Sequence, residues 1–314
     1  MFLTICLNPT IQKTLCYNSI VPGAVNRTAN HRLDVSGKGI NVTRVLNQLG
    51  KDAVHLTHLG GEMRPLFLSL CEKDGLSVKW AESNSQIRFC YTFITSGDVT
   101  EFVEESEPVA AGTEKLLLEK FNALLDTHSM PSIPHTLIIS GTKAAGYSDT
   151  VIPLMVKIAK EKGLYVVLDI RGNDLIQCLK YEPDIVKPNL YEFASTFTPQ
   201  LVKNNELSFN DTGAIEQIKS VMMDIVKKYR CRIVLTNGSR EIYAAQEDNF
   251  FCVKFNPVKA VNTTGCGDAF TAGLAASLLP CNNRETEMDF MASINEGTRC
   301  GALNASLAKP GVIR

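Results

Sequence analysis

The sequence predicts an α/β fold, a mostly parallel β-sheet sandwiched by helices, with a small β-sheet lid contributed by about residues 14–35 and 86–105. Three observations predict it. Short apolar runs alternate with helical patterns along most of the chain. Two extended regions break that alternation and have no place between helices. The chain has 314 residues, 45% apolar and 21% charged, enough to bury one large core.

Taken in order, the predicted strands are 2–8, 53–59, 135–140, 164–169 and 184–187, each a short apolar run. In 39–49, Val42, Val45, Leu46 and Leu49 fall at helical spacing, and Gly50 follows as a stop. Segment 148–163 reads as a helix from an N-cap at Ser148 to Gly163. Segment 211–229 opens at Asp211 and marks one face with Ile215, Ile218, Met222, Ile225 and Tyr229. Alternating strands and helices over this length argue for a sheet covered on both sides. Residues 14–35 read as two extended pieces around Pro22 and Gly23, and 86–105 as a hairpin turned at Ser96, Gly97 and Asp98. In its first arm Phe89, Tyr91 and Phe93 share one face and Arg88, Cys90 and Thr92 the other. No internal repeat or linker divides the chain, so residues 1–314 read as one domain with its lid.

Net charge is −1, which gives no field toward nucleic acid or anionic membrane, and neither is expected as a partner. Ten cysteines are scattered without a C-x-x-C pair, so no structural zinc or redox motif is expected. The opening MFLTICLNPT lacks a basic n-region, and no run reaches the roughly 20 apolar residues of a membrane span. A reducing, cytoplasmic location is expected.

The most informative stretch is NTTGCGDAFTAG, Asn262 to Gly273. FFCVKF before it reads as a strand, and Ala269 to Leu279 after it as an apolar helix. Gly265 and Gly267 therefore lie on a turn into a helix, where free N–H groups and the helix dipole suit phosphate. An acid there, Asp268, makes sense as a base for a hydroxyl that attacks a phosphoryl group. The same spacing also describes a plain helix-opening turn with an acid in its first turn, and spacing alone favours that reading. The other phosphate cradles, G-x-x-x-x-G-K-[ST] and the H-R-D/D-F-G pair, are absent.

NTTGCGDAFTAG resembles the second signature of the PfkB/ribokinase family. Ser36 to Arg44, SGKGINVTR, resembles its first signature, nearest the G-G-K-G form of the 1-phosphofructokinase and tagatose-6-phosphate kinase branch. Val186 to Glu192 matches the family's K-P-N-x-x-E, Leu7 to Pro9 matches that branch's L-N-P, and Val25 to Arg27 resembles it too. The matches stand in family order from residue 5 to about 310.

The resemblance implies a ribokinase-like fold and an ATP-dependent kinase for a sugar phosphate, such as fructose 1-phosphate or tagatose 6-phosphate. Asp268 would be the catalytic base, with Gly265, Cys266 and Gly267 as its anion hole. Asn189 and Glu192 would order Mg2+ through water, although i, i+3 spacing equally describes a capping box. ATP would meet Lys187, Thr236, Asn237, Gly238, Thr264 and Asn304 and the stretch Pro257 to Val261; Asn237-Gly238 is also a hairpin signal. The acceptor would meet Gln12, Ser36, Gly37, Gly39, Asn41 and Ser140, its phosphate gathered by Arg27, Lys38 and Arg88. Such positions are ordinarily solvated surface charge. A monovalent cation is a further implied cofactor, and a homodimer formed through the lids an implied assembly.

Two departures bear on the sugar. Gln12 stands where the branch has an aspartate that accepts from sugar hydroxyls, and Ser36 where it has glycine; Asn262, where some relatives have a potassium-associated aspartate, is an asparagine common in the branch. A kinase for an unphosphorylated sugar or nucleoside, and a silent sugar- or nucleotide-binding homologue, are the alternatives these departures leave.

Overall fold

The computed structural model of the chain describes residues 1–96, 98–126, 134–203, 206–207, 212–278 and 287–314. The first half runs β1 (Phe2–Ile5), β2 (Thr10–Cys16), β3 (His31–Ser36), α1 (Lys38–Gln48), β4 (Ala53–Gly60), α2 (Arg64–Lys73), β5 (Ser77–Ser83), β6 (Arg88–Ile94), β7 (Val99–Val103) and α3 (Thr113–Leu124). It continues through β8 (Thr136–Ser140), α4 (Val151–Glu161), β9 (Tyr165–Asp169), α5 (Gly172–Leu179), β10 (Ile185–Val186), α6 (Leu190–Phe197), β11 (Val202–Lys203) and β12 (Glu206–Leu207). The chain closes with α7 (Thr212–Tyr229), β13 (Arg232–Leu235), β14 (Ile242–Gln246), β15 (Asn249–Val253), α8 (Cys266–Ser277) and α9 (Glu287–Ala305).

The main sheet has nine strands in the order β15-β14-β13-β10-β9-β8-β1-β4-β5. From β13 to β5 every pairing is parallel; β14 and β15 add an antiparallel edge. Strand residues alternate between two buried faces. Leu3, Ile5, Leu137, Ile139, Val166 and Leu168 enter a core shared with α3 to α7. Phe2, Ile138, Val167 and Ile185 enter a second core with α1, α8 and α9. Burial on both sides explains why these strands read as unbroken apolar runs.

The lid is a four-stranded sheet, β3-β2-β6-β7, with β2 and β6 parallel and the outer pairs antiparallel. Its boundary corrects the sequence reading. β2 begins at Thr10, and the chain leaves the main sheet at Ile5, so Gln12 lies within the lid rather than on a loop after a strand reaching residue 8. Asn8 and Pro9, which end the apolar run in the sequence, bend the chain between the two sheets. The helix after Ser148 starts at Val151, because the Ser148 hydroxyl binds Glu114 and Thr150 instead of capping. Asp211, Gly97 and Leu279 lie outside the described residues.

The inner lid face carries Thr10, Gln12, Ser36, Arg88, Thr92 and Glu101, aligned by strand register. On the outer face Ile11, Val35 and Phe89 pack with Ile40 and Phe67 from α1 and α2. Farther out, Phe93 meets Phe102 edge-on at 5.4 Å, and Phe102 is 60% exposed on the edge strand β7.

Candidate active site

Asp268 occupies the first turn of α8. The preceding Gly265 has φ 82°, and a Cβ there would lie 2.9 Å from the Gly311 nitrogen, so only glycine makes this turn. The N–H groups of Gly265 and Gly267 have no hydrogen-bond partner among the described residues, whereas Cys266 N–H donates to the Thr263 carbonyl at 3.3 Å. The proposed anion hole of Gly265, Cys266 and Gly267 thus has two open donors, with Cys266 turned partly inward. Asn304 is wholly buried beneath the turn. Its Nδ2 donates to the Thr264 carbonyl at 3.0 Å, and its Oδ1 accepts from Gly311 N at 2.7 Å. Asn262 likewise staples the turn, accepting from Thr264 N and donating to the Ala308 carbonyl.

Asp268 accepts from Asn41 Nδ2 at 2.8 Å, and the other end of that amide, Oδ1, accepts from buried Arg44 at 2.9 Å. Arg44 also donates to the carbonyls of Val35 and Pro310 and pairs with Asp74 at 2.9 Å. Asn41 is therefore spent on orienting the acid, and Arg44 fixes which way its amide points. Burial pushes the Asp268 carboxyl up from 3.8 to about 6; Lys38 draws it back, and Asp169 pushes it further up. A carboxyl raised to about 6 is mostly ionised at neutral pH yet has real affinity for a proton.

A ring of charge surrounds it. Lys38, the first residue of α1 after the positive-φ Gly37, lies 3.7 Å from Asp169 and 3.3 Å from Glu192. The nearby carboxylates hold the ammonium of this half-exposed side chain charged. Lys187, 2% exposed, meets the same Asp169 Oδ1 at 3.5 Å. Ser140 and Thr271 donate to Asp169 Oδ2 at 3.0 and 3.1 Å. Burial opposes the Asp169 charge, but Lys187, Lys38 and these hydroxyls together hold its carboxyl below the usual carboxylate range. Asp169 Oδ1 makes no hydrogen bond.

Two cavities flank this centre. The smaller, about 160 Å³, is lined by Asn8, Gly37, Lys38, Arg88, Asp169 and Arg171, among others, and by Glu192. The Asn8 side-chain oxygen there is buried without a partner. The larger, about 520 Å³ and mainly apolar, is lined by Thr236, Gly238, Ile242, Pro257, Gly301 and Ala302 and reaches Cys266 and Gly267. Helix α6 joins the two, since Asn189 lines the larger and Glu192 the smaller. Asn189 and Glu192 form a complete capping box, at 2.7 and 2.9 Å, while Glu192 Oε1 turns to Lys38.

The sequence-predicted residues are thus sorted. Gly37, Lys38 and Arg88 come together at the small cavity, and Thr236 and Gly238 at the large one. Ser140 and Lys187 sit behind Asp169, Asn41 and Asn304 behind the turn, and Asn237 buries its amide nitrogen without a partner. Gly39 is a packing glycine, its Cβ position only 2.6 Å from the His55 ring. Gln12 and Ser36 are buried and bound to each other, Ser36 Oγ donating to Gln12 Oε1 at 2.8 Å. Thr264 directs its hydroxyl to Glu101 at 3.0 Å. Arg27 lies exposed on the loop between β2 and β3 and lines neither cavity. The third cation at the small cavity is Arg171 instead.

Asp169, Arg171 and Glu101 were not singled out by motif. Asp169 ends a predicted strand, and the carboxyl ends of parallel strands are where open α/β sheets bind ligands, so position in the fold was the available signal. The lone acid of β7 offered none.

A buried carboxylate at a helix N-terminus, between a cation-rich cavity and an apolar one, is an arrangement that suits a phosphotransferase on a ribokinase-like fold. Residues 7–312 match the model of the pfkB family of carbohydrate kinases, and the chain belongs to that family. It is 26% identical over 317 residues to tagatose-6-phosphate kinase of Staphylococcus epidermidis, covering 100% of this chain and 94% of that protein. In fold it is similar to a possible 1-phosphofructokinase from Thermotoga maritima (TM-score 0.81, 17% identity, 98% of this chain and 92% of that one). It is also similar to phosphofructokinase-2 from Escherichia coli in complex with potassium (TM-score 0.78, 20% identity, 98% and 93%). Among the described residues no helix is long and apolar enough to cross a membrane.

Proposed function

We propose that this carbohydrate kinase transfers the γ-phosphoryl group of ATP to a hydroxyl of a sugar phosphate, with Asp268 as the base. The observation that carries the reading is Asp268 itself, a buried carboxylate with raised proton affinity beside two open N–H donors. The larger cavity has the size and apolar lining for a purine, and ATP laid there brings its phosphates to the Gly265–Gly267 turn. The smaller cavity, with Lys38, Arg88 and Arg171, suits an acceptor that carries an anionic group. The relative's name, tagatose-6-phosphate kinase, supports that class.

In the reaction the acceptor hydroxyl gives its proton to an Asp268 carboxylate oxygen as its oxygen bonds to the γ-phosphorus. The bond from that phosphorus to the bridging oxygen breaks in line, and ADP leaves. Asn41 and Arg44 hold the carboxylate toward the hydroxyl, and the turn N–H groups meet the charge growing on the phosphoryl oxygens. Asp169 Oδ1, which makes no hydrogen bond but takes the charges of Lys38 and Lys187, would with Asn189 and Glu192 offer an all-oxygen donor set for Mg2+ held largely through water. When bound, that ion supplies charge neutralisation for the nucleotide phosphates. Potassium, present in the E. coli neighbour, is a candidate second cation. The exposed Phe102 edge and the aromatic face of β6 support a homodimer through the lids. An ADP-release assay over a panel of sugars and sugar phosphates tests the reading. Turnover confined to bare sugars or nucleosides, or none at all, overturns it.

A further inference from the structure

The inner face of the lid holds one continuous polar chain. Ser36 Oγ donates to Gln12 Oε1 at 2.8 Å, and Gln12 Nε2 donates to Thr92 Oγ1 at 2.6 Å. Thr92 Oγ1 donates to Glu101 Oε1 at 3.3 Å, and Thr264 Oγ1, on the phosphate turn, donates to the same oxygen at 3.0 Å. Each end of the Gln12 amide thus has a partner within the lid, and at 2% exposure the amide is turned away from solvent. Glu101 is different. It is exposed, it stands opposite Thr92 in the ladder, and it shares the inner face with Arg88, which lines the small cavity. Its second oxygen, Oε2, has no partner among the described residues. Beside the chain, the hydroxyl of Thr14, register neighbour of Thr92, is fully buried and also has no partner.

We infer that Glu101 is the carboxylate that accepts the hydroxyls of the acceptor sugar, held in place by the Ser36–Gln12–Thr92 chain. A carboxylate can accept from two hydroxyls, which a neutral amide does only weakly. With Gln12 locked inside the lid, Glu101 is the acid of that inner face whose reach crosses to the turn where phosphate is transferred. Ser36 and Gln12 then act as positioning residues: Ser36 fixes the amide so that its NH2 end faces Thr92, which leaves the Thr92 proton for Glu101. This assigns the polyhydroxyl part of the acceptor to the lid and its anionic part to Lys38, Arg88 and Arg171. The inference rests on the sugar-phosphate reading above.

The test compares wild type, Glu101→Gln and Glu101→Asp with fructose 1-phosphate, tagatose 6-phosphate and deoxy analogues of the better acceptor. The acceptor KM should rise ~10-fold or more in Glu101→Gln, with the ATP KM held within about twofold and the melting temperature unchanged. Glu101→Asp should recover part of the loss. Removing the contacted hydroxyl should harm the wild type and leave the Gln variant nearly indifferent. If wild type turns over no sugar phosphate of the panel, the sugar-phosphate reading fails and this one with it. If wild type turns over and Glu101→Gln stays within about twofold, this inference alone fails. A joint rise in both KM values, or an Asp variant no better than the Gln variant, also overturns it, since either makes the contact to Thr264 a structural latch.

Discussion

Replacing Asp268 by asparagine should abolish turnover and at the same time make the protein more stable at neutral pH. Burial lifts this carboxyl from 3.8 to about 6 against the pull of Lys38, Asn41 and Lys187. At about 1.4 kcal/mol per tenfold change in proton affinity, holding it ionised in the fold costs about 3 kcal/mol. The sign follows from the raised folded value. The cost is absent below about pH 4, grows as pH rises from 3.8 toward 6, and is constant above that. Asparagine keeps the shape and can still accept from Asn41 Nδ2, but its own NH2 needs a partner, so a gain of about 1–3 kcal/mol is expected. Calorimetric melting at pH 7.5 should show an increase of roughly 2–6 °C over wild type, shrinking toward zero near pH 4. Turnover should fall by ~10²-fold or more while ATP binding survives, because the residue acts on the attacking hydroxyl. A variant that melts below wild type at pH 7.5, or whose offset does not vary with pH, would refute the argument that burial sets the proton affinity. Near wild-type turnover would remove Asp268 as the base.

Three further outcomes follow from the same contacts. Lys38→Ala should raise the acceptor KM by ~10-fold or more and move the acid limb of kcat/KM to a pH above 6, because Lys38 is the main group drawing Asp268 down; an unmoved limb would break that link. Gln12→Asp should lower the melting temperature and reduce kcat/KM with every acceptor, since it buries a charge and ends the donation to Thr92; an improved acceptor would show that Gln12 itself faces the sugar. Phe102→Asp should convert a lid-mediated dimer into monomer by sedimentation velocity, and an unchanged species would place the interface elsewhere.

The main sheet was legible because its strands are buried on both faces, which writes them as apolar runs: β4, β8 and β9 fall within a residue or so of their predicted ends. The lid was legible as a departure from alternation, but not its first strand. Thr10 to Cys16 alternates polar and apolar residues only weakly, although Asn8 and Pro9 end the apolar run before it. Of the site, the turn at Gly265 to Asp268 and the helix entry at Gly37 were readable because glycine and charge at a helix start are local features. Contacts across the chain were not. Lys187 and Lys38 are 149 residues apart in sequence by their numbering, yet they converge on one oxygen of Asp169. Arg27 carried a motif resemblance and lies on an exposed loop, whereas Arg171 carried none and lines the cavity.

The charges at the centre explain why the proton affinity of Asp268, the proposed base, is raised. Lys38 and Lys187 bring two positive charges to a buried cluster that holds Asp169, Glu192 and Asp268. Asp169 is the better paired, with both ammonium groups on one oxygen and two hydroxyls on the other, and it stays ionised. Glu192 takes Lys38 and the N-cap of α6. The deficit of positive charge therefore falls on Asp268, whose direct partner is a neutral amide. On the proposed mechanism, a γ-phosphate at the turn would add negative charge beside it and raise its proton affinity further, in the state where it would take a proton from the acceptor. A cation held by Asp169 and Glu192 would act in the opposite sense, supplying positive charge that favours the ionised carboxylate. The amide of Asn41, held by Arg44, suits this task better than a lysine would: it orients the carboxylate without neutralising it.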